Sequence, residues 1–211
     1  MHFEILVEDR SGKIALDILI PKIIGDTHTF RVTSFKGIGH IPRSMASAKN
    51  ISNRMLLNNL PKLLKAYGKS LQDYGVVFVV CDLDDKCLKN FRVELLSILD
   101  NCNPRPETRF CIAVEEAEAW FLGDITAIKQ AYPKARDTVL NAYVNDSICG
   151  AWEQLADAVY RGGAQALTKL GGRAEGAEKS VWAENITPYM DVDNNLSLSF
   201  NYFLRKLREF V

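Results

Sequence analysis

The segment VVFVVC, residues 76 to 81, is apolar and largely β-branched on successive residues, then runs directly into DLDD. Alternation is missing, so both faces of such a strand must be covered, and that is the signature of a central strand in a layered sheet. A six-residue run is far too short to cross a bilayer, which takes roughly 20 apolar residues. The chain around it must therefore supply helices for both faces.

The flanking segments supply them. FEILVE (3 to 8) reads as a strand, and SGKIALDILIPKII after it spaces Ile14, Ile18 and Leu19 at helical intervals. HTFRVTSF (28 to 35) alternates like a half-buried strand and stops at the glycine-bearing loop KGIGHIPR. ISNRMLLNNLPKLLKAYGKS places Met55, Leu56, Leu60, Leu63 and Leu64 on one helical face. Within it Gly68 predicts a C-terminal cap, and Pro61 a kink or a division into two helices. A helix is expected from about Lys86 to Leu99, then the NPRPE turn, a strand RFCIAVEE (109 to 116) and a helix through AEAWFLGDITAIKQAY. Strands alternating with helices predict an α/β sheet, mostly parallel and flanked by helices.

From Pro133 the texture changes. Segments 147 to 161 and 177 to 186 look helical, RGGAQALTKLGGRAEGAEK is rich in glycine and basic residues, and LSLSFNYFLRKLREFV closes the chain with a helix. This predicts an α/β core over 1–132 and a helical C-terminal extension over 133–211, packed on the core. No internal repeat or low-complexity tract is visible.

Charge and cysteine usage narrow the function classes. Lys plus Arg equals Asp plus Glu at 26 each, so a polyanion must be gripped locally rather than by bulk charge. MHFEILVEDR lacks a basic n-region followed by an apolar run, so a cytoplasmic protein with no membrane association is expected. Five cysteines (Cys81, Cys87, Cys102, Cys111, Cys149) form no C-x-x-C and are expected to be small buried thiols. His2, His28 and His40 have no zinc-ligand spacing.

In a parallel sheet, functional groups gather at the carboxyl ends of strands. Three predicted strands end in acids: Glu8 after EILV, Asp82 and Asp84 after VVFVVC, and Glu115, Glu116 and Glu118 after CIAV. Carboxylates that converge repel one another and need a counter-cation, and oxygen-only ligands select Mg²⁺ or Mn²⁺. In an extended D-x-D both acids reach one side while Leu83 points into the core, and Asp85 then faces elsewhere or caps the next helix. Four or more acids would suffice for two ions about 3.5–4 Å apart. Around Gly37 and Gly39, the side chains of Lys36, His40 and Arg43 and free backbone N–H groups form a candidate phosphate-binding loop, although not a G-x-x-x-x-G-K-[ST]. Lys169 and Arg173 read as a solvated loop, while Lys179 is a candidate for transition-state stabilisation. Arg205, Lys206 and Arg208 read as the solvated face of an amphipathic helix.

A Glu after the first strand and a D-x-D after the third resemble the Toprim domain of topoisomerases, primases and overcoming-lysogenization-defect nucleases. The closer resemblance, over nearly the whole chain, is to domain of unknown function 4276. It is carried by LVE (6 to 8), FKGIGHIPR followed by LPKLLKAY, VCDLDD, EEAEAWFLGD (115 to 124) and the closing SFNYFLRKL helix. The resemblance implies a Toprim-like fold in which Asp82 and Asp84 hold Mg²⁺ and Glu8 acts as general acid/base or a further ligand. Glu118 joins them, with Glu116 and Asp124 as secondary candidates and Trp120 as a core anchor. Asp9 and Arg10 depart from the family, which usually carries a small residue there.

The implied activity is metal-dependent phosphodiester cleavage, a nuclease acting on DNA or RNA, with a place in phage defence. A haloacid-dehalogenase-like phosphatase is disfavoured, because its D-x-D belongs on the first strand. The alternative is a non-catalytic Toprim-shaped partner of an ATPase, and homodimer formation is left open.

Overall fold

The computed structural model describes residues 1–42, 54–71, 74–83, 86–114, 116–147 and 150–211. Arg43, Asp84, Asp85, Glu115 and Cys149 lie outside the described residues. The chain folds into four parallel strands, β1 (His2–Val7), β2 (Thr29–Ser34), β3 (Gly75–Asp82) and β4 (Thr108–Ala113), in the order β2-β1-β3-β4. VVFVVC is central as predicted, with β1 and β4 on its two sides and every residue from Gly75 to Cys81 buried.

Three helices connect the strands: α1 (Arg10–Ile24), α2 (Leu56–Ser70) and α3 (Leu88–Asp100). Phe3, Ile5, Val7, Phe78 and Val80 face α1, whereas Leu6, Val77, Val79 and Cys81 face α2 and α3. This division follows from handedness. A right-handed crossover from β1 to β2 runs one way across the sheet, those from β2 to β3 and from β3 to β4 run the other way, and their helices must lie on opposite faces. The connections therefore diverge between β1 and β3. That is the topological switch point, where the carboxyl ends of two neighbouring strands open a crevice.

Two local expectations are corrected. Pro61 does not divide α2, which runs unbroken from Leu56 to Ser70. Gly68 is no cap: it lies inside that helix, where an added Cβ would come within 2.0 Å of the Pro104 carbonyl oxygen, so glycine permits α2 to touch the segment before β4.

After β4 the expected single helix is two, α4 (Glu118–Leu122) and α5 (Ile125–Ala131). The break has a tertiary cause. Asn195 donates from Nδ2 to the Trp120 carbonyl at 2.8 Å, and a Cβ on Gly123 would lie 2.1 Å from Asn195 Oδ1. Asp124 caps α5 by accepting from the Ala127 N–H at 2.9 Å, and it also accepts from the Asp191 N–H at 2.8 Å. It is a buried structural clamp.

The remaining helices are α6 (Asp137–Leu140), α7 (Ala151–Val159), α8 (Gly163–Thr168), α9 (Gly172–Ile186) and α10 (Leu198–Arg208). The glycine-rich stretch is thus helical rather than a solvated loop. Gly162, Gly163 and Gly171 take positive φ at the junctions before α8 and α9, a conformation that β-carbons disfavour. These helices cover the α1 face: Trp182, Ile186, Phe203 and Leu207 share one apolar cluster with Leu16 and Phe78. Trp120 is the predicted core anchor, stacked on Phe203 with ring centroids 5.1 Å apart and donating from Nε1 to Ser199 Oγ at 3.1 Å. Among the described residues no helix is long and apolar enough to cross a membrane.

Candidate functional site

The strand register sets the positions of the acids. Val7 pairs with Val80 and Asp82 with Ala113, so Glu8, Asp82 and the segment after Ala113 all lie at the same carboxyl edge. Glu8 leaves β1 beside β3, and its Oε2 accepts from the Asp82 backbone N–H at 3.2 Å. Behind Glu8, Asp9 accepts from the Gly12 N–H at 2.7 Å and caps α1. Gly12 lets the helix start close to the strand, since a Cβ there would lie 2.6 Å from Val7 Cγ2. The departure from the family pattern at Asp9 is thus accommodated as a helix cap.

Glu8, Asp9, Asp82 and Glu118 line one cleft, floored by Val7, Val80 and Leu16 and walled by Trp120 and Phe121. The pKa of Asp82 is pushed well above the ordinary carboxylate range. Removal of its carboxyl from water is the main cause, followed by the neighbouring charges of Glu8, Glu118 and Asp9; Lys179 opposes them. Glu118, the first residue of α4 and 2% exposed, is raised chiefly by burial, with Lys179 again opposing.

Glu116 precedes α4, and burial holds its pKa up at about 7 against the opposing charge of Lys179. One of its oxygens accepts from the Trp152 N–H at 3.2 Å, at the start of α7. Lys179 reaches in from α9, its Nζ 3.2 Å from Glu116 Oε1 and 3.3 Å from Glu118 Oε2. Burial works against its charge, but Glu118, Glu116 and Asp82 outweigh it, and the pKa of the ammonium is raised. The Trp152 ring lies 5.9 Å from the same nitrogen.

Of the residues singled out in the sequence, Glu8, Asp82, Glu116, Glu118 and Lys179 come together. Lys36 and His40 are exposed and do not line the cleft. The glycine loop differs from the expected nest of free N–H groups: the N–H of Lys36 donates to the Arg54 carbonyl at 2.9 Å, that of Gly37 to the Glu8 carbonyl at 2.7 Å, and that of His40 to Asn58 Oδ1 at 3.1 Å. Gly37 (φ 99°) and Gly39 (φ 70°) let the chain turn between β2 and α2 while braced on Glu8. Its backbone serves the fold, and only the side chains of Lys36 and His40 remain as anion contacts.

Trp152 and Asp9 were missed as neighbours of the site. The Asp-x-x-Gly spacing after a strand could have revealed Asp9 as a cap; nothing local marks Trp152. Among the described residues no three His, Cys, Asp or Glu side chains already form a coordination shell. The donor chemistry nevertheless fits a hard divalent ion: Glu8 and Asp82 offer carboxylate oxygens from adjacent strands, and Asp82 is desolvated among like charges.

A parallel α/β sheet with an acidic cleft at its switch point defines the class of this protein. Within that class, the chain belongs to the family described as Domain of unknown function (DUF4276), whose model matches residues 7–208 and so spans every acid of the cleft. Neither a curated protein nor a solved structure matches it.

Proposed function

We propose that the protein is a Mg²⁺- or Mn²⁺-dependent, Toprim-like enzyme that cleaves phosphodiester bonds in DNA or RNA. The observation that supports this best is the adjacency of Glu8 and Asp82, 74 positions apart in sequence and joined at 3.2 Å at the switch point. Ionised Asp82 is disfavoured there without a further cation.

A divalent ion held by Glu8 and Asp82 supplies Lewis acidity toward a phosphoryl oxygen. The chain's own groups do the rest. Glu8, oriented by the Asp82 N–H, is placed to take a proton from an attacking water. Lys179, kept charged by Glu116 and Glu118, presents fixed positive charge where negative charge develops on the phosphoryl oxygens. With no bulk basic charge, the substrate must be drawn in by the site itself and by exposed side chains such as Lys36 and His40. A role in phage defence rests on the resemblance to overcoming-lysogenization-defect nucleases.

One observation favours a second reading, a non-catalytic partner subunit of an ATPase. Lys179 already neutralises part of the acid cluster, so that part can stand without metal. The test is incubation with single- and double-stranded DNA and RNA, with Mg²⁺, Mn²⁺ or chelator, beside Glu8→Ala and Asp82→Ala. Metal-dependent cleavage lost in both variants supports the enzyme. Inert wild type that is folded by circular dichroism supports the partner.

A further inference from the structure

We infer that Lys179 stands in the place of a second divalent ion, so that this site takes one ion, at Glu8 and Asp82, and not two. The inference rests on the metal-dependent reading above and specifies its stoichiometry.

A pair of ions about 3.5–4 Å apart needs carboxylates to hold both. Glu8 and Asp82 serve one position. The acids that would serve the other are Glu116 and Glu118, and both are engaged by the same ammonium at 3.2 and 3.3 Å. Glu116 has its other oxygen on the Trp152 N–H at 3.2 Å, so its carboxylate is bound on two sides by groups of the protein. Glu118 is almost sealed from solvent, and an incoming ion would have to shed most of its water to reach it. Mg²⁺ dehydrates reluctantly.

The ammonium is not poised to leave. Its side chain is 18% exposed, and the helix that carries it is anchored three residues on by Trp182, which is fully buried together with Ala183 and Ile186. Trp152 flanks the nitrogen on a further side. A metal displacing Lys179 would strand a buried positive charge beside its own. A tethered cation at this point costs no binding entropy when substrate arrives, and it supplies one unit of charge where an ion would supply two. Removing it leaves two enclosed carboxylates with no fixed counter-charge, the condition under which a second ion is recruited.

The test is Mn²⁺ titration followed by electron paramagnetic resonance, which counts bound ions without reference to activity. Wild type should bind one Mn²⁺ per chain, Lys179→Met two, and Asp82→Asn should lose the wild-type ion. Glu116→Gln should retain the single ion, since Glu116 serves the lysine. Two ions in wild type would overturn the inference while leaving the metal-dependent reading intact, and the wild-type count needs no variant to fold. One ion in a folded Lys179→Met, or loss of the ion in Glu116→Gln, would also overturn it. If folded wild type binds no Mn²⁺, the metal-dependent reading itself fails.

Discussion

The backbone N–H of Asp82 donates to Glu8 Oε2 at 3.2 Å, across two parallel strands whose carboxyl ends form the switch point of the sheet. Glu8 is thus oriented by the strand that carries Asp82, while its charge bears on the Asp82 carboxyl and helps push that pKa up. The two acids are positioned by the backbone and opposed by their charge, an arrangement that a divalent ion relieves.

Asp82→Asn removes the like-charge crowding and keeps the shape. In chelator, the variant should be more stable than wild type by about 1 kcal/mol or more, raising the melting temperature by roughly 2–4 °C. Added Mg²⁺ should raise the wild-type melting temperature and leave the variant unmoved. Thermal unfolding with and without Mg²⁺ measures both effects, and equal responses to Mg²⁺ would remove Asp82 from the ligand set.

Lys179→Met leaves Glu116 and Glu118 enclosed without their shared partner. Breaking a buried pair in this way costs about 3–5 kcal/mol. Urea unfolding at pH 7.5 in chelator should show a loss of this order, against less than about 1 kcal/mol for Arg208→Met, whose partner Asp193 is exposed.

The pH dependence follows from Glu116. Its folded-state pKa is about 7, above the unfolded value near 4.3, so between these limits the folded protein binds the proton more tightly. Protonation therefore stabilises the fold fully below the unfolded value, and this contribution fades as pH rises through about 7. Metal-free protein should be less stable at pH 8 than at pH 5 by up to about 3 kcal/mol. Glu116→Gln should flatten this profile, and an unchanged slope would show that other groups govern it.

Gly68→Ala tests the close approach of α2 to Pro104. On an open helix surface this change stabilises by up to about 1 kcal/mol. Here the new methyl meets a backbone carbonyl, and a loss of about 1–3 kcal/mol is expected from chemical unfolding. A gain would mean that the Pro104 segment yields.

The thiols should separate by burial, contrary to the uniform expectation from sequence. Burial pushes the Cys111 thiol up to about 12 and raises that of Cys81 well above its usual value, whereas Cys87 is exposed at the start of α3. Alkylation of native protein at pH 8, read by peptide mass spectrometry, should label Cys87 readily and spare Cys81 and Cys111.

What the sequence determined by itself was whatever short-range pattern controls. The unbroken apolar run before Asp82 specified a covered central strand, alternation with helices specified a parallel sheet, and a parallel sheet brings its strand ends, and hence Glu8 and Asp82, to one edge. Tertiary structure decided what depends on residues distant in the chain. Asn195 splits the helix at Gly123, the Pro104 carbonyl turns Gly68 from a cap into a contact, and partners as far away as Glu8 and Asn58 take the loop N–H groups that looked open to phosphate. The pairing of Lys179 with Glu116, 63 positions earlier, belongs to the same class. Local periodicity encodes which face of an element seeks burial; it does not encode which atom of another element will meet that face. Only packing assigns those partners.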